Sequence, residues 1–164
     1  DKRSALMRLT EQVAALPEPV RSRLTLENDD HSYTVEDLLP VCAKLGIPLV
    51  YDVHHHRCNP DNLTVGEATH ACLQSWRQIG REAYFHISSP KYGWQGKPKP
   101  HADFIDSTDF PVEWLPLDAT IDVEAKAKEV AVLRLQQELA LPAWQQSNGQ
   151  HFRNQAIKDS EEAR

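Results

Sequence analysis

The sequence predicts an α/β protein carrying half of an eightfold (β/α)8 TIM barrel. Three observations lead there. Strand-like stretches at 23–27, 47–53, 82–87 and 120–123 are followed by crossover sequence, mostly helix-forming, an order that gives a parallel sheet with right-handed connections. No glycine-rich phosphate loop follows the first strand, as an open doubly wound sheet usually carries. The 164 residues also fall short of the about 250 that eight units need. A half barrel leaves two strand edges open, so the chain is expected to depend on residues outside it. Its start, Asp1-Lys2-Arg3, reads as a cut from a longer protein.

Element by element, Ser4 is placed to cap a helix over 5–15, with Leu6, Leu9, Val13 and Leu16 at helical spacing. Pro17 and Pro19 end it. Residues 23–27 alternate and form a strand ending in Glu27-Asn28-Asp29-Asp30. Thr34 caps the next helix, with Asp37 completing a capping box and Gly46 stopping it. The second strand, Ile47 to Val53, runs into His54-His55-His56. Asn59-Pro60-Asp61-Asn62 is turn chemistry, and a helix over about 66–80 buries Ala68, Ala71, Leu73, Trp76 and Ile79. The third strand spans 82–87. A long Pro/Gly/Lys loop over 88–100 follows, of a length that is usually functional or disordered. A short helix is expected near 110–115, a fourth strand at 120–123, and a strong helix over 125–139. Residues 1–140 form the half-barrel domain, and the polar residues 141–164 read as a loose tail.

A net charge of −6 argues against a generic polyanion binder, because phosphate contacts need Lys and Arg. That exclusion lapses if the acids gather around bound divalent ions. Cys42, Cys58 and Cys72 are odd in number and lack C-x-x-C spacing, which fits reduced thiols of a cytosolic protein. Cys58 follows the His run closely enough to be a weaker ligand candidate. No apolar run approaches the about 20 residues of a membrane span, and no signal peptide is present.

In α/β barrels function collects at the C-terminal ends of strands. There the sequence places Glu27, Asp52 with His55, His86 and Glu124, and His101 can fold back from the far end of the long loop. Three acids and three imidazoles form a mixed oxygen and nitrogen set that suits Mn, Fe or Zn better than Mg or Ca. There are enough ligands for two ions, with Glu27 or Glu124 able to bridge them, the usual device for displacing oxygen at phosphorus. A lone strand-end His is more often structural, and strand-end acids such as Asp29 and Asp30 often cap helices. The coincidence of four ligand-bearing strand ends favours the metal. His54 and His56 are expected to flank the site. Lys91, Lys97 and Lys99 beside Trp94 suggest a nucleic-acid rim, against the blander reading of a solvated loop.

Five blocks carry a resemblance: 24–30 (LTLENDD), 51–56 (YDVHHH), 85–90 (FHISSP), 101–105 (HADFI) and 122–129 (DVEAKAKE). Over about residues 4–140 they resemble, in order, the C-terminal half of the TIM barrel of the UV damage endonuclease family. That family is related in fold and metal site to endonuclease IV and the xylose isomerase-like barrels, so this chain would hold about its last four βα units. The resemblance implies a DNA repair enzyme that nicks damaged double-stranded DNA immediately 5′ to UV photoproducts, cyclobutane dimers and 6-4 products. It leaves a 3′-hydroxyl and a 5′-phosphate. Damaged bases would be flipped from the stack, which costs least where pairing is already weakened. The resemblance also implies two or three divalent ions, manganese favoured. Glu27, Asp52, His55, His86, His101 and Glu124 would be the ligands, and Glu27, Asp52 and Glu124 the catalytic carboxylates. Cytoplasmic action at the nucleoid is expected, with no membrane and no obligate protein partner.

The family's N-terminal half supplies further histidine ligands and lesion-probing residues that this chain lacks. Some members carry a modified lysine two positions before the strand-end His, where Tyr84 stands here. The alternatives are an abasic-site endonuclease or sugar isomerase on the same barrel, or a metal-binding fragment without catalysis.

Overall fold

The computed structural model describes residues 1–139, so the tail expected over 141–164 lies outside the described residues. The chain divides into two compact units, Asp1–Ala83 and the residues from Tyr84 on.

In the first unit, α1 (Lys2–Ala14) begins one turn earlier than Ser4 suggested. Its cap is Asp1, whose carboxylate accepts from the Ser4 amide at 2.9 Å. Pro17 and Pro19 do not simply end that helix. They open a short second one, α2 (Glu18–Arg21), where a missing N–H costs nothing. Strand β1 is only Leu26–Glu27, and it pairs in parallel with β2 (Leu49–Asp52). Helix α3 (Val35–Leu45) has the expected Thr34/Asp37 box and ends at Gly46, whose φ of 65° is the left-handed conformation glycine tolerates. Its Val35, Leu38, Val41, Cys42 and Leu45 are buried, as helical periodicity requires.

All four residues of β2 are buried, the pattern of a strand covered on both faces. The His run that follows is not an extended strand end. Val53–Cys58 form a six-residue helix, α4, capped by Asp52, whose Oδ1 accepts from the His55 amide at 2.8 Å. Helix α5 (Val65–Gln78) is fastened to β2 by polar as well as apolar contacts. Ser75 Oγ accepts from the Leu49 amide at 3.0 Å, and the Trp76 indole donates to the Leu49 carbonyl at 2.8 Å.

The second unit contains β3 (Ala83–Ile87), which begins at the boundary, and β4 (Ala119–Val123). Ala83, Phe85 and Ile87 are buried, and the alternation turns Tyr84 and His86 to the other face. Tyr84 Oη donates to Asp122 Oδ2 at 2.9 Å, and His86 faces Glu124 at the same sequence offset. Equal offsets mean that the two strands run in the same direction. Between them the expected helix near 110–115 is replaced by two 3-10 turns, Ser107–Asp109 and Val112–Trp114. Trp114 packs in the core against Phe85 and Phe110, with ring centroids 5.2 and 5.8 Å away. Helix α6 (Glu129–Glu138) starts later than expected. The amides of Lys126 and Ala127 donate to the carbonyls of Ala102 and Asp103, which takes that stretch out of the helix. Among the described residues, no helix is long and apolar enough to cross a membrane.

Candidate metal centre

Each unit brings together three of the six residues expected as ligands. In the first, Glu27 ends β1, Asp52 ends β2 and His55 lies one turn into α4. One ligand atom from each lies within 4.8 Å of the others. His55 Nδ1 is 3.4 Å from Glu27 Oε1, 3.4 Å from Asp52 Oδ2 and 2.9 Å from the Asn28 carbonyl. The α4 cap explains the spacing: Asp52 Oδ1 holds the amide of His55, and that turn brings the ring back over Oδ2.

Asn28 is the residue that sequence reasoning missed. It is 1% exposed. Its side-chain amide donates to the Asp52 carbonyl at 2.8 Å, and its Oδ1 accepts from the Asp52 amide at 3.0 Å. A side chain thus takes the place of a backbone rung and fixes Asp52 where the strand pairing stops. Its only trace in the sequence is its position next to a strand-end acid. Asp29 does something else: its Oδ1 accepts from the amides of His31, Ser32 and Tyr33 and folds the connection toward α3. It is not a helix cap, since Thr34 has that role.

Electrostatically the cluster could accommodate a cation. Asp52 is 0% exposed, and its Oδ2 accepts no hydrogen bond among the described residues. A buried carboxylate oxygen left this way is costly unless a cation completes it. The nearest cation is His55 itself. Burial works against a charged ring, but the hydrogen bond to Glu27, the Asp52 charge and the Asn28 carbonyl outweigh it and raise His55 to about 9. A proton on His55 therefore answers two carboxylates, where a divalent ion held by the same three side chains would answer them more fully. This donor set, two oxygens and a nitrogen, fits a borderline divalent ion.

In the second unit Glu124, directly after β4, turns one oxygen to each of two imidazoles. His86 Nδ1 is 3.3 Å from Oε1, and His101 Nδ1 is 3.6 Å from Oε2. His86 comes from β3. His101 is brought in by an antiparallel bridge to Pro90 that closes the long loop. Tyr84 stands edge-on to His86, with centroids 5.2 Å apart, while its hydroxyl is committed to Asp122.

The histidines expected to flank the site, His54 and His56, are both buried. His56 Nδ1 meets the Tyr51 hydroxyl at 2.6 Å, and its Nε2 lies 3.2 Å from Asp61 Oδ1. His54 is fully buried with its ring edge-on to His55. Cys58 belongs to neither ligand group. Cys42 is a buried thiol pushed up to about 12 by burial, and burial also raises Cys72.

Parallel strand pairing and crossover helices define an α/β protein, with carboxylate–imidazole groups at its strand ends that could hold a metal ion. The comparisons with known proteins narrow that class. The model of the family described as "UV-endonuclease UvdE" matches residues 1–149, and the chain belongs to that family. It is 40% identical to the UV DNA damage endonuclease of Bacillus velezensis and 39% identical to that of Bacillus pumilus, covering 85% of this chain and 45% of each relative. Among solved structures it resembles SacUVDE, with a TM-score of 0.72 and 27% identity over 85% of this chain and 48% of that one. The fold class is therefore the partial TIM barrel expected from the strand–helix order. The chain spans about half the length of the relatives it matches.

Proposed function

We propose that the protein carrying this chain is a DNA repair endonuclease that hydrolyses the backbone of damaged duplex DNA immediately 5′ to UV photoproducts. The observation that carries the reading is the buried Asp52 carboxylate, orphaned at Oδ2 and faced by Glu27 and His55, in a chain of the UV-endonuclease family. Glu27, Asp52 and His55 would hold one divalent ion, manganese the best fit, and His86, His101 and Glu124 would contribute ligands to another. When bound, such ions supply Lewis-acid stabilisation of the charge that builds on the phosphodiester oxygens.

The chain's own groups do the rest. Asn28 keeps Asp52 fixed while charge develops, so little reorganisation is needed during reaction. Glu27, with 36% of its side chain exposed, is open enough to take a proton from the attacking water. The water oxygen joins phosphorus, the P–O3′ bond breaks, and O3′ leaves with a proton. The products are a 3′-hydroxyl and a 5′-phosphate. Glu124 holds both imidazoles of its cluster in place for the same displacement.

Incision of irradiated and undamaged duplexes by the full-length protein, with manganese and with chelator, tests this reading. Nicking is expected on the irradiated strand only, and only with the metal. An Asp52→Asn variant should be about 100-fold slower or worse, the usual cost of losing one preorganised electrostatic group. Absence of metal-dependent nicking by the full-length protein would overturn the proposal.

A further inference from the structure

The loop between β3 and the second cluster contains Lys91, Lys97 and Lys99 and no carboxylate anywhere in residues 88–102, in a chain of net charge −6. Its length alone would suit a disordered segment, but the loop is built. Lys91 N donates to the Pro100 carbonyl at 2.7 Å and Ala102 N to the Ser89 carbonyl at 2.8 Å, a short antiparallel ladder that closes its base. Two successive turns shape its tip, with Gly93 N bonded to the Pro90 carbonyl and Gly96 N to that of Gly93, each at 3.1 Å. Gly93 has a φ of 71°, and a Cβ at Gly96 would run into the Tyr92 carbonyl, so both turns need glycine.

The two aromatics of the loop have opposite roles. Trp94, which the sequence places among the lysines as a rim residue, is an anchor. Its indole donates to Asp109 Oδ1 at 2.8 Å, and the other oxygen of this buried carboxylate accepts from Ser89 Oγ at 2.6 Å. Tyr92 is the outward ring, 59% exposed, with the Lys91 ammonium 5.5 Å from its centroid. The loop thus commits a buried carboxylate to anchoring Trp94 and two glycines to its turns, and it presents Tyr92, with Lys91 beside its ring, and the exposed Lys97 and Lys99.

We infer that the 90–100 loop is a DNA-contacting element, in which Lys91, Lys97 and Lys99 meet phosphates and Tyr92 stacks on an unstacked base. This rests on the endonuclease reading for its substrate, and it adds the surface that holds the strand. Lysines around an exposed aromatic are the combination that tracks a backbone and accepts any base face. The loop ends at His101, so a strand gripped there is held next to the second cluster within the same unit.

The test is fluorescence anisotropy of the full-length protein on labelled DNA, in chelator, across a salt series. The probes are irradiated duplex, undamaged duplex and single strand. The triple variant Lys91→Gln/Lys97→Gln/Lys99→Gln is expected to weaken binding to all three. On duplex it should also lower the log-affinity against log-salt slope by about 0.9 for each phosphate no longer neutralised. Tyr92→Ala is expected to cost about 5- to 150-fold on single strand and irradiated duplex, and less on undamaged duplex, with Tyr92→Phe near wild type. Unchanged affinity and salt slope in the lysine variant, or an equal effect of Tyr92→Ala on all three probes, would overturn the inference. The two readings fail separately. A wild type that binds through the loop without nicking removes only the nuclease, and one that nicks while its loop variants bind normally removes only the loop.

Discussion

Asn28 and His55 are the two residues on which the first cluster turns. Replacing Asn28 with alanine leaves the Asp52 amide and carbonyl buried without their partners. That should destabilise the fold by about 2–4 kcal/mol and weaken manganese binding together. Urea unfolding and calorimetric titration of Asn28→Ala would show both losses, whereas a surface asparagine would show neither. His55 sets a pH dependence whose sign follows from its raised pKa of about 9. Coordination needs the neutral ring, so below pH 9 each ion bound at this cluster must expel a proton. Affinity should therefore rise about tenfold per pH unit between 7 and 9 and then level off, while His55→Ala should bind weakly with a flat profile. The clustering of the candidate ligands was legible because acids and imidazoles at successive strand ends are rare as packing. Asn28 was not, since its partner lies 24 residues away and asparagine at a strand end reads as ordinary turn chemistry.

Helix termini show why some element boundaries were readable. The Thr34/Asp37 box is a local pattern read from the sequence, and it forms; Thr64 and Glu67 form a second box, which the reading of a helix from about residue 66 did not name. Asp37 also pairs with Lys2 at 2.6 Å. Burial works against its charge, but the Lys2 ammonium and the Thr34 amide and hydroxyl outweigh it and hold Asp37 below the ordinary carboxylate range. A group depressed in the folded state stabilises fully above its unfolded value, near 3.9. That contribution is lost as pH falls through the folded value. Thermal melts from pH 6 down to pH 2 should thus show a steeper acid loss for wild type than for Asp37→Asn, and at pH 6 the variant should be less stable by about 1 kcal/mol.

Where the partner is distant, the element was not readable. The run His54-His55-His56 has no helical propensity to announce α4, which exists because Asp52 caps it where β2 ends. The delayed start of α6 depends on carbonyls of Ala102 and Asp103, about two dozen residues upstream. The 3-10 turns that replace the expected helix near 110–115 follow Asp106, Pro111 and the burial of Trp114, not a repeating apolar pattern.

For the whole molecule, charge is divided by task. Carboxylates gather with imidazoles at strand ends in both units, while the lysines of residues 90–100 lie on a hydrogen-bonded loop that carries no acid of its own. The bulk charge of −6 therefore says little about any one surface, because it averages clusters of carboxylates with a loop of lysines. Fold class was legible from the strand–helix order, the missing glycine-rich loop and the chain length, and the likeness to SacUVDE agrees with it. At the centre of this picture is the proposal that the Glu27–Asp52–His55 cluster holds a divalent ion. Titrating manganese into the full-length protein and into its Asp52→Asn variant, with free metal followed by electron paramagnetic resonance, tests that most directly. One high-affinity ion fewer is expected in Asp52→Asn with the fold intact, and unchanged stoichiometry and affinity in that variant would contradict it.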